Sequence, residues 1–480
     1  MRFSSISFRT CVIILCVLLG SCKKFVQVDA PFTVTTANDV YASDATAAAV
    51  LTGLYTNLSS SDFTSTDFRN LSMYAGLSAD ELTLWNGTSI VWQNQYYTNA
   101  LSANMSGAAF IPWNSVYPYI FTCNSAIEGL SSADKLSAAA RSQLLGEAKF
   151  MRAFFYFYLV NLYGDVPLIL GTDYKVNALM GRTSKDKVYT QIVNDLLDAK
   201  KLLDSTGYVQ SDCITVYEPS VAERVRPNSW VASALLARVY LYMNDYPNAE
   251  EQSSILINNT NVYGLESIGN AFLRNNSEAI WQLQPVNVGW NTEDAKLFII
   301  PPTGLSTSNP VYLSDTLLNS FEVGDLRKSN WIGNYTDVTG TYHYAYKYKD
   351  ANLGDPVIEY HMVLRLAEQY LIRAEARAQQ GNLSGSQDDL NTIRTRAGLT
   401  STSANDKKSL LVAILHERQV ELFTEWGHRW LDLKRTGQIG AVMSAVAPKK
   451  QGKWDSNWAL YPIPVDDINK DPLLIQNQGY

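Results

Sequence analysis

The chain has 480 residues, of which 46% are hydrophobic and 18% are charged, so it can bury a core without disulfide support. The net charge is −7 and the basic residues form no cluster, which argues against nucleic acid as a partner. Tyrosine, phenylalanine and tryptophan number 28, 16 and 11. Most of these must be core residues, because aromatic side chains dominate core burial, but several lie in polar loops and need another explanation.

Residues 1–21 have the pattern of an export signal, with two arginines followed by an unbroken apolar run. That run has about half of the ~20 residues that span a bilayer. The Leu-Gly-Ser-Cys sequence at 19–22 resembles a bacterial lipobox and predicts a lipidated Cys22. We expect 22–38 to be a lipid-anchored tether, the protein's only attachment to the membrane. The alternative is an ordinary secretory signal cut elsewhere.

Residues 39–480 are expected to form one domain, with an N-terminal half at about 39–210 and a C-terminal half at about 270–480. Only Cys123 and Cys213 remain within it. Two cysteines make no disulfide framework, and both a pair and two free buried thiols stay open.

The first polar loop with aromatic residues follows an amphipathic helix predicted over 39–58. Trp85 stands beside Asn86 in this loop, and Trp92 comes soon after. Farther on, Trp113 opens a run of aromatic residues at helical spacing that ends with Phe121, which we interpret as core.

The segment GEAKFMRAFFYFYLVNLYGDVPL, residues 146–168, is apolar nearly all round and therefore predicts a buried helix. The helix should end at Gly164, and Pro167 prevents its continuation.

Several helices occur in pairs joined by short turns, which is the unit of a tetratricopeptide-type repeat. The predicted pairs are 144–163 with 187–203, 229–243 with a helix beginning near Pro247, and 361–380 with a helix capped by Ser386; a further helix covers 410–427. In the third pair, Gly381 suits the left-handed residue that ends a helix. The spacing between units is irregular. We therefore predict a mainly α fold of tetratricopeptide-like pairs packed with irregular loops and a few short strands.

Two more loops combine aromatic and amide residues: Trp290 with Asn291, and Trp331 with Tyr335. An aromatic ring can cover the apolar face of a sugar while amide, carboxylate and guanidinium groups hydrogen-bond its hydroxyls. The three loops therefore have a composition that suits a sugar-binding surface. The tyrosines at alternate positions of 342–348 line one face of a strand and are expected to pack on helices.

The segment 146–168 closely resembles the signature helix of the SusD/RagB family, the glycan-binding outer-membrane lipoproteins of polysaccharide-utilisation systems. Other segments resemble the family in the expected order: 228–249, its mid-chain repeat; 311–327, its aspartate-x-arginine turn; 346–348, the strand before its C-terminal helices; 417–435, its most specific helix; and 460–464 with 476–480, its terminus. Gln478 stands where proline is commoner.

The resemblance implies a SusD-like α-α superhelix that captures an oligosaccharide or polysaccharide at the cell surface, without catalysis. It also implies a partner, a SusC-like TonB-dependent transporter of the outer membrane, over which the chain sits as a lid with its helical side docked. Lys23 and Lys24 lack the acidic run of some surface-export signals, so retention on the periplasmic side stays open. Some members of the family take up glycopeptides or other ligands. The expected glycan-binding residues are Trp85, Asn86, Trp92, Trp290, Asn291, Trp331 and Tyr335.

Acidic residues at helical spacing, Glu417, Glu421 and Glu425, invite an acid/base interpretation, but arginines are interleaved with them. Structural ion pairs at i, i+4 spacing explain the pattern better. His416-Glu417 begins like a zincin motif, but Val420 occupies the position of the second ligand. We therefore expect no metal and no cofactor. Two alternatives remain: a lipid-anchored glycan hydrolase, and a helical-repeat scaffold that binds a protein or peptide.

Overall fold

The computed structural model describes residues 40–60, 71–104 and 111–480. The predicted signal, the tether and Cys22 lie outside the described residues. The α-helices are α1 (Asp44–Ser60), α2 (Leu71–Ser78), α3 (Val91–Tyr97), α4 (Ile111–Ser132), α5 (Ala138–Tyr163), α6 (Tyr174–Asn177), α7 (Lys185–Leu202), α8 (Ser229–Tyr242), α9 (Tyr246–Ile257), α10 (Glu293–Phe298), α11 (Asp315–Leu318), α12 (Leu326–Asn330), α13 (Leu366–Gln380), α14 (Leu383–Arg396), α15 (Lys407–Glu421), α16 (His428–Arg435), α17 (Ile439–Val446) and α18 (Val465–Lys470). The strands are β1 (Leu82–Leu84), β2 (Ala279–Leu283), β3 (Val311–Leu313), β4 (Ile332–Asp337), β5 (Gly340–Ala345) and β6 (His361–Arg365).

Helix α5 is the buried centre of the fold, as the apolar segment predicts. It begins after Ser137, whose hydroxyl accepts a hydrogen bond from the Ala140 amide at 3.2 Å. Every residue from 150 to 163 is buried. The helix ends at Gly164, whose φ of 75° suits a residue without Cβ.

The helical pairs are present, so the prediction of a mainly α fold with tetratricopeptide-like pairs and a few short strands is confirmed. In the second pair, Asp245 caps α9, and Pro247 lies in its first turn. In the third pair, Gly381 ends α13 in the left-handed conformation, with φ of 86°.

The third pair begins later than predicted. Residues 361–365 are strand β6, which pairs antiparallel with β2, and both of its faces are buried. A fully buried strand has no alternation to set it apart from the start of a helix. Helix α14 is capped by Asn382, whose side chain accepts from the Gly385 amide at 3.0 Å. The predicted cap, Ser386, lies buried inside the helix.

The helix predicted over 410–427 ends earlier than expected, and a turn follows it. Helix α15 ends at Glu421, and α16 begins at His428. Between them Thr424, Trp426 and Gly427 take positive φ values of 52°, 47° and 72°. Left-handed residues cannot continue a right-handed helix, so Glu425 lies in the connecting turn.

The acidic residues of this region do form ion pairs, but with partners distant in sequence rather than at i, i+4 spacing. Arg365 contacts Glu421 at 2.6 Å, Glu425 at 2.8 Å and Glu278 at 3.0 Å. Arg327 contacts Glu417 at 2.7 Å and Glu421 at 2.8 Å. The Glu421 carboxyl is buried, and three arginines hold its pKa well below the usual value despite that burial.

The strands form three separate two-stranded antiparallel sheets, β1–β3, β2–β6 and β4–β5. Cys123 and Cys213 are buried free thiols. Phe121 is 51% exposed, so it is not the core residue that its spacing predicted. Within the described ranges, no helix is both long enough and apolar enough to cross a membrane.

Candidate functional site

A cleft of about 520 Å³ opens beside the β4–β5 hairpin, and we call it the hairpin cleft. Its walls come from the loop before α10, from the chain that follows α10, and from the hairpin with the segment after it. The lining residues are Trp290, Lys296, Ile299, Ile300, Pro301, Pro302, Asn309, Asn334, Tyr335, Tyr344, Tyr346, Lys349, Ala351 and Asn352. Two of the three loops predicted from composition therefore meet in one space.

The hairpin is a self-contained unit. Its register places Asn334 opposite His343 and Tyr335 opposite Tyr342. The carboxylate of Asp337 accepts a hydrogen bond from the Thr339 amide at 2.7 Å and so fixes the two-residue turn. Most hairpin side chains are exposed or half-buried, which leaves aromatic rings available at the cleft.

Tyr344 and Tyr346 form one wall of the cleft. A Cβ atom on Gly333 would lie 2.3 Å from Cε2 of Tyr344, so the ring crosses the neighbouring strand directly over this glycine. Both tyrosines are half-buried, whereas Tyr348 is buried in the core. The expectation that the whole tyrosine stripe packs on helices is therefore wrong for Tyr344 and Tyr346.

Trp290 also lines the cleft and is half-buried. The Lys296 ammonium nitrogen is 4.7 Å from the centroid of its ring, and the same nitrogen contacts the Glu293 carboxylate at 2.8 Å. A lysine held by both partners fixes one side of the indole. Behind the loop, the Gly354 amide donates to the Gly289 carbonyl at 2.7 Å.

Asn291, the neighbour of Trp290, is 2% exposed and does not line the cleft. Its amide nitrogen donates to the Asp350 carboxylate at 2.8 Å. Its amide oxygen accepts from the backbone of Ile358 at 2.8 Å and of Glu359 at 3.0 Å. The side chain of Asn291 therefore joins the loop that carries Trp290 to the segments around 350 and 358.

Tyr335 and Asn334 reach the cleft from β4. The backbone of Gly304 has φ of 91°, and a Cβ there would lie 2.9 Å from the Tyr335 hydroxyl. The Asn334 side-chain oxygen is 2.5 Å from Nδ1 of His343. Asn334 and Asn352 are exposed amides at the rim, where they can hydrogen-bond a polar ligand.

The first predicted loop lies outside the lining of the hairpin cleft but is joined to it through the backbone. The Trp85 amide donates to the Pro310 carbonyl at 2.7 Å, and the residue before Pro310 lines the cleft. Trp85 is half-buried beside an exposed Asn86. Trp92 packs edge-on against the buried Tyr74, with the ring centroids 5.3 Å apart. Part of its ring therefore belongs to the core.

Trp331 is buried in the core and does not line the cleft. The indole is 0% exposed, and its N–H donates to the Ile268 carbonyl at 2.8 Å. The Lys347 ammonium lies 4.9 Å from the ring centroid, and Phe272 packs against it at 5.5 Å. A sugar cannot stack on a ring enclosed in this way.

The charged residues that line the cleft are lysines, and one of them, Lys296, is paired with Glu293. Lys296 and Lys349 line it, and none of the described lining residues is Asp or Glu. Burial lowers the pKa of Lys349 to about 8, and its ammonium lies 4.1 Å from the centroid of the Tyr346 ring. The aromatic walls, the amide rim and the two lysines suit a neutral or anionic polar ligand with apolar faces.

The sequence did not predict Lys296 and Lys349 as cleft residues, and it placed Tyr344 and Tyr346 against helices. The polar turn at 336–340 was the one sequence signal that could have shown the tyrosines to lie on an exposed hairpin. The lysines carried no signal, because α10 and the chain after the hairpin meet only in the folded protein.

Two family models match this chain. One, described as the SusD family, matches residues 319–480, and the other, described as "starch-binding associating with outer membrane", matches residues 35–241. Among curated relatives, SusD-like protein P25 of Formosa agariphila is 23% identical over 96% of this chain and 97% of its own length. The starch-binding protein SusD of Bacteroides thetaiotaomicron is 25% identical over 74% of each chain.

The same fold occurs among solved structures. A SusD superfamily protein from Bacteroides vulgatus has a TM-score of 0.77 and 21% identity, over 92% of this chain and all of that one. A laminarin-binding SusD-like protein has a TM-score of 0.72 and 24% identity, over 90% of this chain and 99% of its own.

Proposed function

Because the chain belongs to the SusD/RagB family, we propose that it is a non-catalytic glycan-binding lipoprotein that captures an oligosaccharide or polysaccharide at the outer membrane. It then hands the glycan to a SusC-like TonB-dependent transporter. The names of two similar proteins, one starch-binding and one laminarin-binding, support glycan as the ligand class.

The observation that carries the proposal is the lining of the hairpin cleft. Trp290, Tyr335, Tyr344 and Tyr346 offer aromatic surface for sugar faces, while exposed amides stand at the rim. Hydrolysis of a glycosidic bond ordinarily needs a pair of carboxyl groups about the scissile bond. The described lining of this cleft contains no carboxyl group, which favours binding over hydrolysis here.

Affinity electrophoresis of the domain cut after Cys22 tests the proposal, with starch and laminarin in the gels. We expect at least one glycan to retard the protein and Trp290→Ala to abolish the retardation. Tyr174→Ala is the matched control, because Tyr174 is 73% exposed and lies outside the cleft. Retardation that survives Trp290→Ala, or is lost equally in Tyr174→Ala, would overturn the assignment of the cleft. Release of sugars by the pure protein would establish the hydrolase instead.

We propose that the transporter docks on the helical side. A groove of about 1020 Å³ there, the helical groove, is lined by Leu411, Val412 and Leu415 among charged residues, and Val412 is 65% exposed. Val412→Asp should weaken co-purification with the transporter and leave glycan retardation unchanged. Loss of glycan retardation in this variant would contradict the separation of the two surfaces.

We also propose that Cys22 carries the lipid anchor. Cys22→Ser should move the protein from the membrane fraction to the soluble fraction of the producing cells, because ~0.8 kcal/mol per buried CH₂ is then lost. A variant that stays in the membrane fraction would show another mode of attachment.

A further inference from the structure

A second cavity, of about 510 Å³, lies at the carboxyl end of α5, and it shares no lining residue with the hairpin cleft. It is lined from α5, from the start of α7, and from α8 and α16. We call it the basic pocket, because Arg182, Lys185, Lys434 and Arg435 line it against a single carboxylate, that of Asp165.

Three of these cations lack a carboxylate partner within ion-pair distance among the described residues. Arg182 donates to uncharged oxygens, including the carbonyls of Asp165 at 2.7 Å and Ile475 at 2.9 Å. Lys434 donates to the Asn161 carbonyl. Lys185 lies 5.6 Å from the centroid of a tyrosine ring. With Asp165 as the one carboxylate among the described lining residues, the pocket therefore carries a net positive charge.

Arg435 differs from the other three cations. It contacts Glu375 at 2.6 Å and Asp432 at 2.7 Å, so its charge is already balanced.

A buried hydroxyl points to the same conclusion. Tyr242 lines the pocket, is 6% exposed, and its hydroxyl has no hydrogen-bond partner within the described part of the chain. Leaving a buried polar group unpaired costs about 1–3 kcal/mol. A buried phenol without a partner can donate one hydrogen bond to an acceptor that enters the pocket.

Capping of α5 explains only part of this arrangement. The last carbonyls of a helix carry partial negative charge and attract cations, and Arg182 and Lys434 do bind the carbonyls of Tyr163 and Asn161. An ammonium group has three hydrogens, and Lys434 uses one of them here. Capping also leaves the buried Tyr242 hydroxyl without a partner among the described residues.

We propose that the basic pocket binds an oxyanion, held by Lys434, Lys185 and the Tyr242 hydroxyl. The group is a carboxylate, sulfate or phosphate, either as a free ion or as the acidic group of a small organic ligand such as a sugar acid. The pocket volume lies in the range of sites for small organic ligands and exceeds the need of one inorganic ion. Burial and the charge of Lys185 lower the pKa of Lys434 to about 7, which agrees with a pocket short of negative charge.

The test is calorimetric titration of the domain cut after Cys22 with sulfate, phosphate and glucuronate, with glucose as the neutral control and chloride holding ionic strength constant. We expect the anions to bind and glucose not to bind. If glucuronate binds more tightly than sulfate and phosphate, the ligand is an acidic organic molecule. If sulfate or phosphate binds more tightly, the ligand is a free inorganic ion. Absence of binding by all three anions would overturn the proposal.

Two variants locate the binding. Lys434→Gln should weaken it about tenfold or more, because an amide can still donate to Asn161 but carries no charge. Lys470→Gln is the control, since the Lys470 side chain is 75% exposed outside this pocket. Tyr242→Phe removes only the unpartnered hydroxyl, so it should fold even if Lys434→Gln does not, and it should weaken binding several-fold. Unchanged affinity in Tyr242→Phe, or equal losses in Lys470→Gln, would place the anion elsewhere.

The pH dependence of sulfate affinity is an independent test of the role of Lys434. Sulfate keeps its charge, so its affinity should fall as the pH rises through neutrality and Lys434 loses its proton. The other titratable groups lining the pocket are Asp165, Arg182, Lys185, Tyr242 and Arg435. Free aspartate, arginine, lysine and tyrosine in water have pKa values well away from neutrality. Sulfate affinity that is constant from about pH 6 to about pH 9 would overturn the assignment to Lys434.

Discussion

The rings of Tyr344 and Tyr346 stand perpendicular, with their centroids 5.9 Å apart, at the wall of the hairpin cleft. Tyr344 lies in β5 and Tyr346 just after it. Residues two apart in an extended chain share a face, and here both rings line the cleft. The two rings can therefore contact different faces of a bound glycan.

Replacing either tyrosine should lower glycan affinity without unfolding the protein. We expect Tyr344→Ala and Tyr346→Ala each to weaken binding about tenfold, because an aromatic face is lost while the hairpin backbone remains. Isothermal titration and thermal melting measure the two quantities. Tyr174→Ala, at an exposed position away from the cleft, should match the unmodified protein; a melting temperature far lower in Tyr344→Ala would show a structural role instead.

Gly333→Ala should act on the ligand through Tyr344. The added Cβ would lie 2.3 Å from the ring, so the ring must turn away and the affinity should fall. Gly53→Ala is the matched control, because nothing lies within 4 Å of a Cβ there. In helix α1 that change should stabilise the fold by up to ~1 kcal/mol. Undiminished glycan binding by Gly333→Ala would show that the position of Tyr344 is immaterial.

Asn291→Ala should disturb both stability and binding. Its side chain joins the loop before α10 to the segments around 350 and 358, and loss of these buried bonds should cost about 1–3 kcal/mol. Trp290 would then lose its fixed position. Chemical denaturation measures the free energy of unfolding, and Asn86→Ala, at an exposed residue, should leave it unchanged. Equal stability of the two variants would refute the positioning role.

Arg365→Met should be among the most damaging single changes. It leaves the buried carboxylates of Glu278, Glu421 and Glu425 with one fewer cation, and breaking a buried pair costs about 3–5 kcal/mol. The exposed pair of Lys470 with Asp467 provides the contrast, since Lys470→Met should cost less than about 1 kcal/mol. Similar melting temperatures for the two variants would contradict the importance of burial.

The free energy of unfolding should fall as the pH rises from about 4.5 to about 8, because of Glu81. Burial raises the pKa of this carboxyl from 4.5 to about 8. Between these values the unfolded chain has lost the proton that the folded chain keeps, so each step up in pH favours unfolding. Glu81→Gln should flatten the fall below pH 7 and raise the melting temperature at neutral pH. Exposed Glu218→Gln should keep the original slope.

Lys450 changes the free energy of unfolding in the opposite direction, at higher pH. Burial lowers its pKa to about 7 from 10.5, so its contribution to stability grows as the pH rises above neutrality. The comparison of Glu81→Gln with the unmodified protein is therefore made below pH 7. A slope that Glu81→Gln leaves intact there would show that another group titrates.

The helices were predictable because their signals are local. The apolar run of α5, the left-handed Gly381 and the turn before Pro247 each act within a few residues. The break after Glu421 was not predictable, since Thr424 and Trp426 adopt left-handed conformations that their side chains do not favour. There the tertiary structure overrides local preference.

The candidate site was predictable only in part, because burial is decided by neighbours distant in sequence. Trp290 and Trp331 stand in loops of similar composition, yet Phe272 and Lys347 enclose Trp331 while Trp290 remains half-buried. A single sequence does not show which indole receives such neighbours.

The residues that line the cleft and the residues that stabilise the helices are different sets. The rings of the β4–β5 hairpin meet the cleft, but its turn is fixed by its own Asp337 and Thr339, and the buried arginine and glutamate pairs that hold the helices lie elsewhere. Substitutions at the cleft can therefore accumulate with little penalty to the scaffold. We therefore expect changes at the cleft to alter ligand preference at little cost in stability, and changes in the buried ion pairs to cost far more.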